Sequence, residues 1–310
     1  MTAVATLRRT IPFVVTAAIL AYLFSNIDLS AAFATLTLDA ARILIPAIVL
    51  YGLVSLVIEG FSLAHLTRAA GLRADVLTCS RIKAASYSLG LLNYTLGVAA
   101  LSVLFRRRVG LSLAASAGLV ATVSFADLAM LISITAVSIA FSAGEGPALE
   151  LGTIVLVGAG IALGLAFLRV PRPLGPLDRV RELELFKTVR SAPLRSLLEL
   201  ALLRGCFVFT FIGAGYASMV AFGVDVPPSE LIVGMSAVAL VGALPIAVAG
   251  LGTVQLATVE LFGAHADEAT LIACSLSMQA TMVAVRMSMG LVFAREFTRE
   301  AVEATRGVET

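Results

Sequence analysis

Residues 81–108 read RIKAASYSLGLLNYTLGVAALSVLFRRR. Arg81 and Lys83 precede the apolar stretch, and Arg106, Arg107 and Arg108 close it. Residues 225–268 read DVPPSELIVGMSAVALVGALPIAVAGLGTVQLATVELFGAHADE and carry the opposite sign. Asp225 and Glu230 precede that segment, Asp267 and Glu268 follow it, and no Lys or Arg lies between. Basic residues stay on the cytoplasmic side of a membrane. The first segment is therefore expected to enter and leave from the cytoplasm, the second from the opposite face. Two re-entrant hairpins of opposite polarity, interrupted by Gly or Pro, are the hallmark of inverted-repeat transporters.

Composition agrees. The 310-residue chain is 59% hydrophobic and 14% charged, with mean hydropathy +1.01. Those values suit a polytopic membrane protein. The net charge of +2 gives no ground for a nucleic-acid partner. Cys79, Cys206 and Cys274 are odd in number and scattered, so neither a disulfide framework nor a metal site is expected. His65 and His265 have no partner at ligand spacing and read as interfacial residues. No cofactor-binding motif is present. Arg8 and Arg9 before an apolar run mark a retained first helix, because no convincing cleavage site follows.

Spanning helices are expected at about residues 11–27, 43–66, 111–141, 151–168, 197–222 and 269–293. The hairpins fall between the second and third and between the fifth and sixth. Residues 169–195 form a basic cytoplasmic linker, and Leu177, Val180, Leu183 and Phe186 recur in it at helical spacing, which predicts a helix in the interface. Of the 22 Lys and Arg, this path puts 19 inside, Arg42 outside, and Arg204 and Arg286 within the membrane. A single crossing by residues 84–105 would invert every later loop and set the 169–195 cluster opposite Arg68 to Lys83. The result is one integral membrane domain over 1–310, all-α and polytopic, with six transmembrane helices and two re-entrant helical hairpins. It sits in the inner membrane with both termini cytoplasmic. Its inverted-repeat halves cover about 43–141 and 197–293.

Glu59, Asp127, Glu199, Arg204, Glu260 and Arg286 lie in or near predicted spans. Each would cost about 2.5–3.5 kcal/mol at the bilayer centre, so such residues pair or face a cavity. Asp127 and Arg286 occupy comparable places in the two halves. Either they form a buried pair that fixes helix packing, or Arg286 is the fork that holds an anionic headgroup. Glu199 and Arg204 are five apart and are expected to snorkel near the cytoplasmic end of their helix. Gly90, Gly97, Pro245, Gly250 and Gly252 are the expected hairpin breaks, where freed backbone groups can bind ions or headgroups. Asn93, Tyr94 and Gln255 add neutral polar contacts. No nucleophile–base pair is readable, so an enzyme is not expected. Gly160 and Gly164 form a GxxxG of ordinary helix packing; homo-oligomer formation stays open.

The stretches Ser86-Tyr87-Ser88-Leu89-Gly90 to Asn93-Tyr94-Thr95-Leu96-Gly97 and Arg106-Arg107-Arg108-Val109-Gly110-Leu111-Ser112 resemble the transmembrane domain of lysylphosphatidylglycerol synthases. Residues 244–255 look like the same family's Pro-x-x-x-Gly-Gly-Leu-Gly-x-x-Glu segment, with Ala249 for the first Gly and Gln255 for the acid. Arg286 matches an arginine of its last helix. Where family members carry Gly-Glu-x-x-Arg or Gly-Gly-x-x-Arg, this chain has Gly97-Val98-Ala99-Ala100-Leu101. The resemblance implies a stand-alone flippase-like domain that moves a phospholipid or lipid-linked headgroup between leaflets. Asn93, Tyr94, Asp127, Gln255 and Arg286 would contact the substrate, and Glu59 and Asp127 would carry protons. The alternatives are a small-solute or ion-coupled transporter of the same architecture and a membrane enzyme acting on lipids. Single cysteines at Ser102 and Gly263 are expected to label from the cytoplasm and the exterior respectively; labelling of both from one side overturns this topology.

Overall fold

The computed structural model describes residues 37–92, 94–142, 146–169, 175, 178–183, 186–243 and 251–306, and among these there is no strand. Long helices are α1 (Leu38–Ala69), α4 (Leu113–Ser142), α5 (Pro147–Arg169), α8 (Leu194–Ala221) and α11 (Glu268–Arg306). Among the described residues, five helical segments are long and apolar enough to cross a membrane, α11 contributing Glu268–Phe293. The expected first span, 11–27, lies outside the described residues. Side chains such as Leu53, Val57, Leu156 and Leu202 point outward from these helices, as lipid-facing residues do. Helix α5 has no buried residue at all.

Between the long helices lie two packed pairs, α2 (Val76–Leu92) with α3 (Tyr94–Val109) and α9 (Pro228–Ala243) with α10 (Thr253–Phe262). Their 17, 16, 16 and 10 residues give lengths of about 15–26 Å at 1.5 Å per residue. None reaches across a hydrocarbon core of about 30 Å. The order long, short, short, long thus occurs twice, with matching punctuation. After α1, Gly71 takes φ +81°, its amide bonds Arg68 O at 2.9 Å, and Leu72 N bonds Thr67 O at 3.1 Å. After α8, Gly223 takes φ +70°, its amide bonds Val220 O at 3.1 Å, and Val224 N bonds Met219 O at 2.9 Å. Both are Schellman-type stops, which need a left-handed residue. Before each closing long helix a side chain caps the free amides: Ser112 Oγ accepts from Ala115 N at 3.1 Å, and Asp267 Oδ1 from Thr270 N at 2.9 Å. Hydrogen bonds from the Thr270 hydroxyl and amide hold the Asp267 carboxyl below its ordinary range. Asp75 caps α2 in the same way through Thr78, with its carboxyl likewise lowered.

Three expectations need correction. Gly90 and Gly97 are not breaks, since α2 runs through the first and α3 through the second, and the helices part between Leu92 and Tyr94. A helical Gly costs only about 1 kcal/mol, which tertiary packing overrides. Gly252 does mark a break, at φ +88° before α10, while Pro245 and Gly250 lie outside the described residues. The linker helix is not continuous: α6 (Asp178–Arg181) and α7 (Lys187–Ser191) are short and separate. The chain leaves the helix at Glu182 and Leu183, after a single turn that Glu182 N closes on Asp178 O at 2.8 Å. Phe186 stacks on Phe125 at 5.3 Å, and Arg169 bonds Val189 O at 2.9 Å and also Ala192 O, fastening the linker to the end of α5. Finally, α11 continues to Arg306, through residues expected to form a charged tail.

The chain divides into two compact units. Residues 1–51, 131–153 and 208–282 form the first. There Phe262 lies over Gly234, Met235 fills the space at Gly215, and Tyr51 meets Phe211 edge-on at 6.2 Å. His265 Nε2 lies 2.8 Å from Glu230 Oε2, tying the loop after α10 to the first turn of α9. Residues 52–130, 154–207 and 283–310 form the second, whose core includes Leu63, Leu66, Cys79, Ile82, Phe105, Leu119 and Leu200. Ser102 is buried in this unit, so Arg107, exposed near the end of α3, is the better position for a cytoplasmic label. Gly60 lets α2 approach α1, because a Cβ there would stand 1.9 Å from Ser80 Oγ and 3.0 Å from Val76 O. Gly60→Ala is expected to destabilise the protein by about 1–3 kcal/mol, read as a lowered thermal midpoint in detergent. The Gly60→Ala/Ser80→Ala pair recovers part of that loss; an unchanged midpoint in the single variant would show that this approach is not tight.

Candidate functional site

The same close approach of α1 and α2 creates the first half of a charge cluster in the second unit. Glu59, beside Gly60, is 8% exposed. Lys83, one turn beyond Ser80 on α2, places Nζ 2.7 Å from Glu59 Oε2. Tyr87 stands one turn further along. Its hydroxyl donates to the same Glu59 oxygen at 3.4 Å, a long contact, and its ring carries two cations. Lys83 Nζ is 5.8 Å from the ring centroid and the Arg286 guanidinium is 5.7 Å from it. Both are within cation–π range. Arg286 reaches this place from α11, which Gly52 lets come close: a Cβ on Gly52 would stand 2.6 Å from Val285 Cγ1.

The second half joins α4 and α8. Arg204 Nε donates to Asp127 Oδ1, and the guanidinium carbon lies 4.1 Å from the Phe207 ring centroid. Arg204 is 1% exposed, whereas the Asp127 side chain is 29% exposed. Gly205 packs at this crossing, where a Cβ would stand 3.1 Å from Met130 Cε. The two halves act on each other electrostatically. Glu59 feels Arg204 and Arg286 as well as Lys83, and Asp127 feels Glu59 and Lys83. Five helices, α1, α2, α4, α8 and α11, therefore bring three cations and two anions together.

This arrangement revises the expected partners. Asp127 pairs with Arg204, not with Arg286, and Arg204 is sealed among the helices, not snorkelled to the surface. Burial next to Phe207 and Asp127 is available to Arg204 because Gly205 and Leu200 sit on the packed side of α8. Glu199 points elsewhere, as a five-residue offset requires: it takes Arg195 Nε at 2.8 Å and lies 3.5 Å from His65 Nε2. Lys83, read from the sequence as part of a basic loop, is a helical residue of the cluster. The signal that would have found it is its spacing to Tyr87, i to i+4 on one helical face.

The other candidate residues lie apart from this cluster. Asn93 is outside the described residues, and Tyr94 opens α3. Gln255 belongs to the first unit and is fully buried. Its Oε1 accepts from Gly252 N at 2.6 Å, and its Nε2 donates to Gln279 Oε1 at 2.7 Å. A carboxylate at this position would serve the Gly252 amide but offer Gln279 no donor. Glu260 is exposed on α10.

The family model of the lysylphosphatidylglycerol synthase TM region matches residues 9–290, which takes in every residue of the cluster and both short pairs. Comparison with curated proteins gave no match.

Removing one member of a buried ion pair leaves the other charge unpaired, at a cost of about 3–5 kcal/mol. Asp127 retains some exposure, which puts Arg204→Met near the lower end. The Arg204→Met/Asp127→Leu variant is expected to recover at least half of the lost stability in detergent unfolding. Strict additivity of the two single changes would show that the pair is not coupled.

Proposed function

Because the chain belongs to the lysylphosphatidylglycerol synthase transmembrane family, we propose that it moves a phospholipid or lipid-linked headgroup between the leaflets of the cytoplasmic membrane. The observation that carries this reading is the cluster of Glu59, Lys83, Asp127, Arg204 and Arg286, set on and between apolar helices of spanning length. Ionisable residues at such depth are expensive and mark substrate or ion pathways.

The full architecture in this proposal has six spanning helices, with α2–α3 and α9–α10 as re-entrant hairpins of an inverted repeat. Support comes from their short lengths, their opposite flanking charges and the repeated punctuation of the long helices. Broken helices at membrane depth are tolerated only where protein or a wet cavity satisfies their backbone. Alternating access would rock one half against the other, with Asn93, Tyr94, Asp127, Gln255 and Arg286 meeting the headgroup. Apolar helix faces would carry the acyl chains. Glu59 and Asp127 would relay protons if movement is driven, each by releasing its cation on protonation. The membrane is the partner, the termini are cytoplasmic, and no covalent chemistry is involved.

Proteoliposomes with fluorescent lipids, scored by quenching from one side, test this. Labelled phospholipid is expected to exchange faster than in protein-free vesicles. Arg286→Ala and Asp127→Asn are expected to slow it on the order of tenfold, the worth of one charge-assisted hydrogen bond. No acceleration across a broad lipid panel sinks the proposal and leaves a solute transporter of the same architecture. Lipid turnover by the purified protein would instead make it an enzyme.

A further inference from the structure

Donors and acceptors at the start of α10 are ordered in one direction only. Gly252 stands before α10 at φ +88°, and its amide is one of the free N–H groups of a helix start. A backbone amide can only donate, so the atom of Gln255 that meets it at 2.6 Å is Oε1. That fixes the carboxamide: Nε2 faces α11, and the atom of Gln279 that meets it at 2.7 Å is the acceptor Oε1. A glutamate in the third position of a helix reaches back to the same amide equally well. When ionised it has no proton with which to reach Gln279. Gln255 is fully buried, so water does not replace either bond. We infer that the Gln255–Gln279 pair is a directional, uncharged latch that holds the start of α10 against α11, with Gln255 as its positioning residue.

The rest of α10 is held by packing and by a loop contact. Phe262 lies over Gly234 of α9, a Cβ on Gly242 would stand 3.2 Å from Val254 Cγ2, and His265 meets Glu230. The latch adds a tie to α11 at the end where the chain enters from the break. Other titratable side chains of α9 to α11 in this unit are placed elsewhere. Glu260 and Glu268 are exposed, Asp267 caps α11 through Thr270, and Cys274 Sγ faces Met219. With an amide on both sides, the latch has no charge to desolvate and closes at any pH. Resting on the headgroup contact proposed above for Gln255, the latch also gates that contact, because the amide is free for a headgroup only when the latch opens.

Thr258, 3% exposed one turn further along α10, reports the state of the latch. Full-length protein carrying Thr258→Cys and Cys206→Ser is treated with a maleimide in detergent, and labelling is read peptide by peptide by mass spectrometry. Each variant is compared with this parent at the same pH. Gln255→Glu is expected to label at the parent rate at about pH 5, where its protonated carboxyl supplies the O–H, and on the order of tenfold faster at about pH 9, where ionisation removes it. Gln279→Lys sets donor against donor and is expected to label faster than the parent at both pH values. Gln255→Glu/Gln279→Lys gives the carboxylate its donor and is expected to return to the parent rate at about pH 9. Should Gln255→Glu not fold, Gln279→Glu accepts from Gln255 Nε2 when ionised and is expected to keep the parent rate at that pH. Parent-rate labelling of Gln255→Glu at high pH, equally fast labelling at both pH values, a double variant as fast as the faster single, or fast labelling of Gln279→Glu overturns the inference. Leaflet exchange by a protein whose latch variants all label alike removes this inference and spares the proposed function. The expected labelling in a protein that exchanges no lipid does the reverse.

Discussion

A guanidinium has been taken out of water at Arg204, and much of the second unit follows from that. The penalty for burying a lone charge is several kcal/mol, so the fold must deliver an anion and a polarisable face to a fixed point. Asp127 on α4 and Phe207 on α8 meet that demand. Gly205 stands beside them, where a Cβ would press on the end of the Met130 side chain at 3.1 Å. The same device recurs at Gly60, which brings Lys83 to Glu59, and at Gly52, which brings α11 and Arg286 inward. Small residues let helices approach where no hydrophobic force drives them together in lipid. Here they also set the distances of the charge cluster.

The short helices face a different constraint, since each helix end leaves backbone groups that need partners. The first unit answers it with side chains. Gln255 accepts the Gly252 amide and donates onward to Gln279, so one amide group serves two needs. Its neutrality has a further effect. In the resembling segments the hairpins carry acids and an arginine; in this chain they are uncharged at Gly97 to Leu101 and at Gln255. The charges of the cluster stand on α1, α4, α8 and α11 and on the first turns of α2. Charge has been kept off the breaks and placed on continuous helices, whose backbones need no further partner.

How much of this was visible in the sequence depended on the range of the signal. Flanking charge and run length are local, and they placed the described long helices to within a few residues, apart from the C-terminal end of α11, and singled out both short pairs. Local turn chemistry at Gly71, Gly223, Ser112 and Asp267 can be read in the same way. Partner choice cannot. Arg204 and Asp127 are 77 residues apart, and only packing decides that Arg204, not Arg286, reaches the carboxylate. Gly90 and Gly97 misled because glycine weakens a helix by an amount that tertiary contacts exceed. The linker misled because so short a periodic apolar pattern does not by itself sustain a continuous helix.

The uncharged stretches at Gly97 to Leu101 and Gln255 and the charged helices bear together on how such a domain could move a headgroup. A charge on a moving break would have to be desolvated afresh in each state. Charges on continuous helices can exchange partners instead: Glu59 is shared by Lys83 and Tyr87, and the Asp127–Arg204 pair stands in the same cluster. Exchange among pre-placed partners costs far less than exposure of any one of them to hydrocarbon. Opening the cluster to a headgroup would then trade one satisfied arrangement for another. The two states would differ by the few kcal/mol over which a substrate can tip an equilibrium.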